Sequence, residues 1–167
     1  MKAIVRRATE GDAGVLSVLA TEVWLDTYAH DGVTPAFARH LLRDFSVAAM
    51  EEAINAAQVF VCCRGDLIFG YAKLTASDAS LVHHASAELA TLYVRRHQFR
   101  QGYGSMLLDV ICAEARRAGH GALCATVHHR NLRAFAFYAR HGFRHVGDWS
   151  FRFDGERVPN RVYARAL

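Results

Sequence analysis

Residues 88–104 read ELATLYVRRHQFRQGYG, and residues 105–119 continue SMLLDVICAEARRAG. The apolar run from Ala87 to Arg95 predicts a strand. A basic turn follows, and then two glycines open a helix over Ser105 to Ala118, with Leu107, Leu108, Ile111 and Ala115 at the spacing of one inward stripe. Arg116 and Arg117 suit the C-terminal end of that helix, and Gly119 can terminate it. The first amides of a helix have no partner within it, and the helix dipole adds partial positive charge there. Such an end favours a phosphate. Gly102 and Gly104 carry no Cβ, so a bulky anion can approach their backbone closely.

Working outward, Lys2 to Arg7 predicts a first strand, and Thr9 with Asp12 resembles a capping box. Leu16, Leu19, Ala20, Val23, Trp24 and Thr27 then recur at helical spacing. Pro35 suits the first turn of a second helix, and a short helix over Ser46 to Asn55 follows. Gln58 to Arg64 and Leu67 to Thr75 form a hairpin through Gly65-Asp66, and Ser77 to His84 reads as a polar loop. Beyond the central unit come a strand over Ala122 to Val127 and a helix over Asn131 to His141. A last hairpin, His145 to Phe153 and Arg157 to Ala166, turns at Asp154-Gly155. The helical crossover makes the strands near Leu92 and Cys124 parallel neighbours.

The chain has 167 residues, enough for one domain (1–167) with a sizeable core. No apolar run is long enough to span a bilayer, and MKAIVRRATEGD lacks the apolar stretch of a signal peptide. The expectation is a cytoplasmic protein with no membrane partner. A net charge of +4 permits an anionic ligand or nucleic acid and demands neither. Cys62, Cys63, Cys112 and Cys124 lack paired metal-ligand spacing and read as reduced, mostly buried thiols. His83, His84, His128 and His129 have no carboxylate or cysteine at ligand spacing, so no metal is expected.

Two motifs together give the chain a likeness to a known family. Gly102-x-Gly104 follows Leu92-Tyr93-Val94 and precedes an amphipathic helix, and Asn131 is followed by Tyr138 and then by Gly142-Phe143. The FGYAKL stretch around Gly70 adds a third match. The chain resembles the GNAT superfamily of acyl-coenzyme A-dependent N-acetyltransferases. The resemblance implies a mixed α/β fold of about six to seven mostly antiparallel strands, with a central parallel pair splayed to bind coenzyme A and four or so helices. It also implies acetyl-CoA as co-substrate and a cytoplasmic transferase that acetylates a primary amine by direct attack. The family's loop reads Q/R-x-x-G-x-G/A, whereas this chain has Phe99 at the first position.

The resemblance implies a role for each matching position. The amides of Phe99, Arg100, Gln101, Gly102, Tyr103, Gly104 and Ser105 would bind the diphosphate, while Leu92, Tyr93 and Val94 would pair through their backbones with the pantetheine arm. Arg95, Arg96 and Arg100 either add attraction for the phosphates or form a solvated basic turn. Asn131 is either a pantetheine ligand or a plain N-cap. Tyr138 would donate a proton to the departing thiolate. A thiol of pKa about 8.5 and a tyrosine of about 10 make that transfer nearly balanced. Glu88 is the candidate general base, acting directly or through water; its alternative is a strand-edge carboxylate paired with an arginine.

A base is useful because only a neutral amine attacks. An amine of pKa about 10.4 is neutral in roughly one molecule per few thousand at pH 7, a penalty of about 4.6 kcal/mol. Burial beside apolar residues raises a carboxyl toward a useful value. Trp24, Asp26, Tyr28 and His83 are candidates for the amine site, Asp26 by charge and the aromatics by stacking, although Trp24 also reads simply as core. A small-molecule amine is the expected substrate, and the family permits a homodimer. The alternatives are a protein or peptide acetyltransferase, an aminoacyl-tRNA acetyltransferase, and a coenzyme A-binding regulatory module without catalysis.

Overall fold

Side chains that satisfy backbone amides set several helix starts. The Thr34 hydroxyl accepts from Phe37 N at 3.2 Å, with Pro35 in the first turn, and the Ser46 hydroxyl accepts from Ala49 N at 3.1 Å. Ahead of the first helix, Asp12 accepts from Thr9 N at 2.8 Å and from both Arg6 guanidinium nitrogens at 2.7 and 2.9 Å. The computed structural model describes residues 2–77 and 87–167. In order, the elements are β1 (Ile4–Arg7), α1 (Ala13–Tyr28), α2 (Pro35–Asp44), α3 (Val47–Ala56), β2 (Gln58–Arg64), β3 (Leu67–Ala76), β4 (Ala87–Val94), α4 (Tyr103–Arg117), β5 (Ala122–His128), α5 (Leu132–Arg140), β6 (Arg144–Phe153) and β7 (Glu156–Ala166). Single 3-10 turns cover Glu10–Asp12 and Arg96–Gln98.

The strands form a mixed sheet in the order β1-β2-β3-β4-β5-β7-β6. β1 with β2, β5 with β7, and β6 with β7 are antiparallel, and β4 with β5 is the parallel pair that the helical crossover requires. Pairing of β4 with β5 joins Ala87 to Leu123 and Glu88 to Cys124, and ends two residues into β4. The mixed α/β class, the strand number and the early-parting parallel pair agree with the sequence reading. Among the described residues there are five α-helices, and none is long and apolar enough to cross a membrane.

Contacts group the chain into two compact units, Met1–Lys73 with Thr91–Ile111, and Leu74–Ala90 with Cys112–Leu167. In the first, Leu16, Leu19, Ala20 and Val23 of α1 pack with Met50, Ile54, Val59, Val61 and Ile68. Gly70 of β3 is needed there for close approach: a Cβ at this position would lie 2.4 Å from the Tyr93 carbonyl oxygen. In the second unit, Cys124 and Val162 are buried together, with Trp149 packed against them. The α4 stripe of Leu107, Leu108, Ile111 and Ala115 is fully buried, as its periodicity predicts. All four cysteines are free and buried. Burial pushes the Cys62 thiol up to about 11.

Candidate active site

In the first unit, β4 runs into a turn whose backbone is unusual. Arg100 has φ 64° and Gly102 has φ 83°, both in the left-handed region, immediately before α4 begins at Tyr103. Glycine adopts that region freely, whereas for an arginine it costs about 1–2 kcal/mol. Strained backbone of this kind clusters at ligand clamps and active sites, which makes this turn a candidate site. Alternating backbone hand also turns successive amides toward a common point, the arrangement that binds anions. The α4 ladder begins with Met106 N donating to the Gly102 carbonyl at 3.0 Å, so Tyr103 and Gly104 precede it. Nothing lies within 4 Å of where a Gly102 Cβ would stand. This donor set suits a diphosphate.

Side chains around the turn divide by role. Phe99 N donates to the Arg96 carbonyl at 3.2 Å and closes the 3-10 turn, so the Phe99 amide is engaged within that turn. Arg95 grips Glu22 with Nε–Oε2 at 2.8 Å and Nη2–Oε1 at 3.0 Å. That pairing occupies one of the three arginines considered for the phosphates, and Arg96 and Arg100 are exposed. The Tyr103 ring stacks on Phe69 at 4.9 Å, which fixes the first turn of α4. Leu92, Tyr93 and Val94 are half-buried at the end of β4, and the Arg95 amide donates to the Phe69 carbonyl at 2.9 Å.

In the second unit, Glu88 is half-buried, and the Thr126 hydroxyl stands 3.4 Å from its Oε1. Cys124, its register partner, has its thiol pushed up by burial, with the nearby Glu88 charge acting the same way, which favours the protonated thiol. Tyr138 is buried in α5, edge-on to Phe143 with centroids 5.1 Å apart, and its ring is stacked at 6.2 Å on Tyr163. Asn131 caps α5, its Oδ1 accepting from Ala134 N at 3.1 Å. The N-cap reading is therefore realised for its oxygen.

The amine-site candidates separate. Trp24 is buried, with Tyr28 at 5.1 Å, Phe37 at 4.8 Å and His40 at 5.2 Å between ring centroids, so it serves the core. Asp26 is exposed and Tyr28 half-buried, while His83 lies outside the described residues. Among the described residues, no three His, Cys, Asp or Glu side chains gather as a metal site would require.

The sequence reading missed Asn160, which is 8% exposed on β7 with a buried side-chain oxygen that has no hydrogen-bond partner. An Asn between Pro159 and Arg161 gives no sign of this, because its burial comes from strands distant in sequence.

The model of the Acetyltransferase (GNAT) family matches residues 16–143, a span that holds the strained turn, Glu88, Asn131 and Tyr138. The chain belongs to the GNAT acetyltransferase family. A comparison with curated proteins found no match. Among solved structures, this GNAT chain is similar to the PaiA N-acetyltransferase of Thermoplasma acidophilum in complex with coenzyme A. The TM-score is 0.80 at 19% identity, covering 100% of both chains. It is also similar to yncA of Salmonella typhimurium with its cofactor acetyl-CoA (TM-score 0.72, 19% identity, covering 100% of this chain and 95% of that one). A third is the ribosomal-protein-alanine N-acetyltransferase of Brucella melitensis (TM-score 0.70, 22% identity, covering 98% and 99%). At these identities the likenesses establish the fold.

Proposed function

We propose that this GNAT protein transfers the acetyl group of acetyl-CoA to the primary amine of a small molecule, acting as one functional domain. The observation that carries the reading is the strained turn before α4, where Arg100 and Gly102 both hold positive φ. Amides from Arg100 to Ser105 cradle the diphosphate, and the α4 dipole adds to the attraction. Leu92, Tyr93 and Val94 offer backbone groups to the pantetheine arm, as a strand does to an added strand. With its oxygen engaged in the cap, Asn131 has its carboxamide nitrogen left for that arm. Acetyl-CoA supplies an activated acetyl group on a thiolate leaving group.

The remaining chemistry is proton handling. The amine nitrogen forms a bond to the acetyl carbon as the carbon–sulfur bond breaks. Glu88 takes the proton that the amine loses, directly or through water, and Tyr138 gives its phenolic proton to the thiolate. Exchange with solvent restores both groups. No covalent enzyme intermediate is needed, in keeping with the protonated, buried Cys124.

A second reading, transfer to an aminoacyl-tRNA, has one observation in its favour. The excess positive charge lies wholly in the second unit, with ten Lys and Arg against six Asp and Glu, whereas the first unit has ten against ten. Thiol release from acetyl-CoA, followed over a panel of polyamines, amino acids, aminoglycosides, peptides and charged tRNA, separates the readings. A small amine is expected to turn over. Turnover of charged tRNA alone would reverse the assignment, and binding of acetyl-CoA with no turnover anywhere would favour a regulatory module.

A further inference from the structure

Directly opposed residues on neighbouring strands share a face of the sheet, as do alternate residues along one strand. Glu88 is opposite Cys124, His128 is opposite Asn160, and Asn160 is opposite Trp149. With Thr126 between Cys124 and His128, one face therefore carries a track from Glu88 through Thr126 and His128 to Asn160 and Trp149. The Thr126 hydroxyl marks where the Glu88 carboxylate sits. Asn160 is one strand across from Thr126 and two residues along, about 8 Å away between Cα atoms.

Two features of the far end of this track call for a ligand. Asn160 is more than nine-tenths buried, and its Oδ1 is buried without a donor. Such an oxygen destabilises the fold, and native proteins keep few of them. Its register partners on the two flanking strands, His128 and Trp149, are both half-buried, so an imidazole and an indole flank it on the same face. The Arg130 amide donates to His128 Nδ1 at 3.2 Å, which leaves the ring proton of the neutral imidazole on Nε2.

We propose that Asn160 selects the amine substrate. Its side-chain oxygen accepts a hydrogen bond from an N–H at the end of that substrate far from the nitrogen that is acetylated. The substrate class is then an elongated amine with a second donor, an amide or another amine, held along the track between Trp149 and His128. This rests on Glu88 being where the reacting amine sits. A bonded oxygen in a closed site discriminates strongly, because a substrate without the donor leaves it unpaired.

The test uses two series of linear amines of graded length, one ending in an acetamide and the other in a methyl group. Calorimetric titration of the protein reads the contact without acetyl transfer, and thiol release from acetyl-CoA is measured in parallel. The acetamide series should bind about tenfold more tightly at its best length. Asn160→Leu should remove that preference by weakening the acetamide series alone, with KM for acetyl-CoA unchanged. Its melting temperature should hold or rise, since an apolar side chain of similar size relieves the unpaired oxygen. Equal binding of the two series at every length would overturn the proposal, as would an Asn160→Leu loss shared by both. A preference without thiol release would count against acetyl transfer alone, and thiol release without a preference would count against Asn160 alone.

Discussion

Tyr138 and Glu88 are the residues on which the proposed chemistry turns, and each can be removed with little change of shape. Tyr138→Phe keeps the ring contacts with Phe143 and Tyr163 and deletes only the hydroxyl. It is expected to lower kcat about a hundredfold, in the range of lost general-acid help, with KM for acetyl-CoA little changed. Unaltered kcat would remove Tyr138 from the reaction. Glu88→Gln should cost most near neutral pH, where nearly all of the amine is protonated, and progressively less as alkaline pH supplies neutral amine. A loss independent of pH would make Glu88 a structural residue.

Elements were the most legible level. Apolar periodicity and the Gly65 and Gly155 turns placed the strands, and the helices given both bounds, to within about two residues, because these signals are local; the first two helices were recognised without both ends being fixed. The helix predicted from Ser105 begins instead at Tyr103, since Gly104 is taken into its first turn. What the chain concealed were long-range pairings. The sequence leaves Arg95 open between a phosphate contact and a solvated turn, and only the fold brings Glu22, far away in sequence, onto it; Asn160 likewise is buried beside residues of other strands. Nor did anything mark Arg100 for positive φ. Gly70 gives an element-scale prediction. A Cβ there meets backbone at 2.4 Å from Tyr93 O and 3.1 Å from Val94 Cα, and backbone cannot yield as a side-chain tip can. Gly70→Ala should destabilise by about 3 kcal/mol, seen as a fall in melting temperature of roughly 10 °C. A melting temperature within a degree or two of the parent would show that β3 and β4 can part without cost.

At the scale of the molecule, stability and function are tied to charge. The Arg6 guanidinium beside Asp12, with the Thr9 amide assisting, holds that carboxyl at about 2, below its usual value. A depressed carboxyl stabilises the fold above its ordinary range, and the benefit fades as pH falls from about 4 toward 2. Allowing for the partly exposed Arg6, it contributes about 2 kcal/mol at neutral pH. Asp12→Asn should therefore lower stability at pH 7 in urea unfolding and converge with the parent near pH 2. A gap that stayed constant with pH would trace the loss to packing instead. The proposed function depends on a different charge, the diphosphate assigned to the turn between β4 and α4. Calorimetric titration with acetyl-CoA and with acetyl-pantetheine, the same thioester arm without the diphosphate and the nucleoside beyond it, tests that dependence most directly. Acetyl-CoA should bind at least a hundredfold more tightly, by roughly 2.7 kcal/mol; equal affinity, or no heat from acetyl-CoA at all, would contradict the role assigned to that turn.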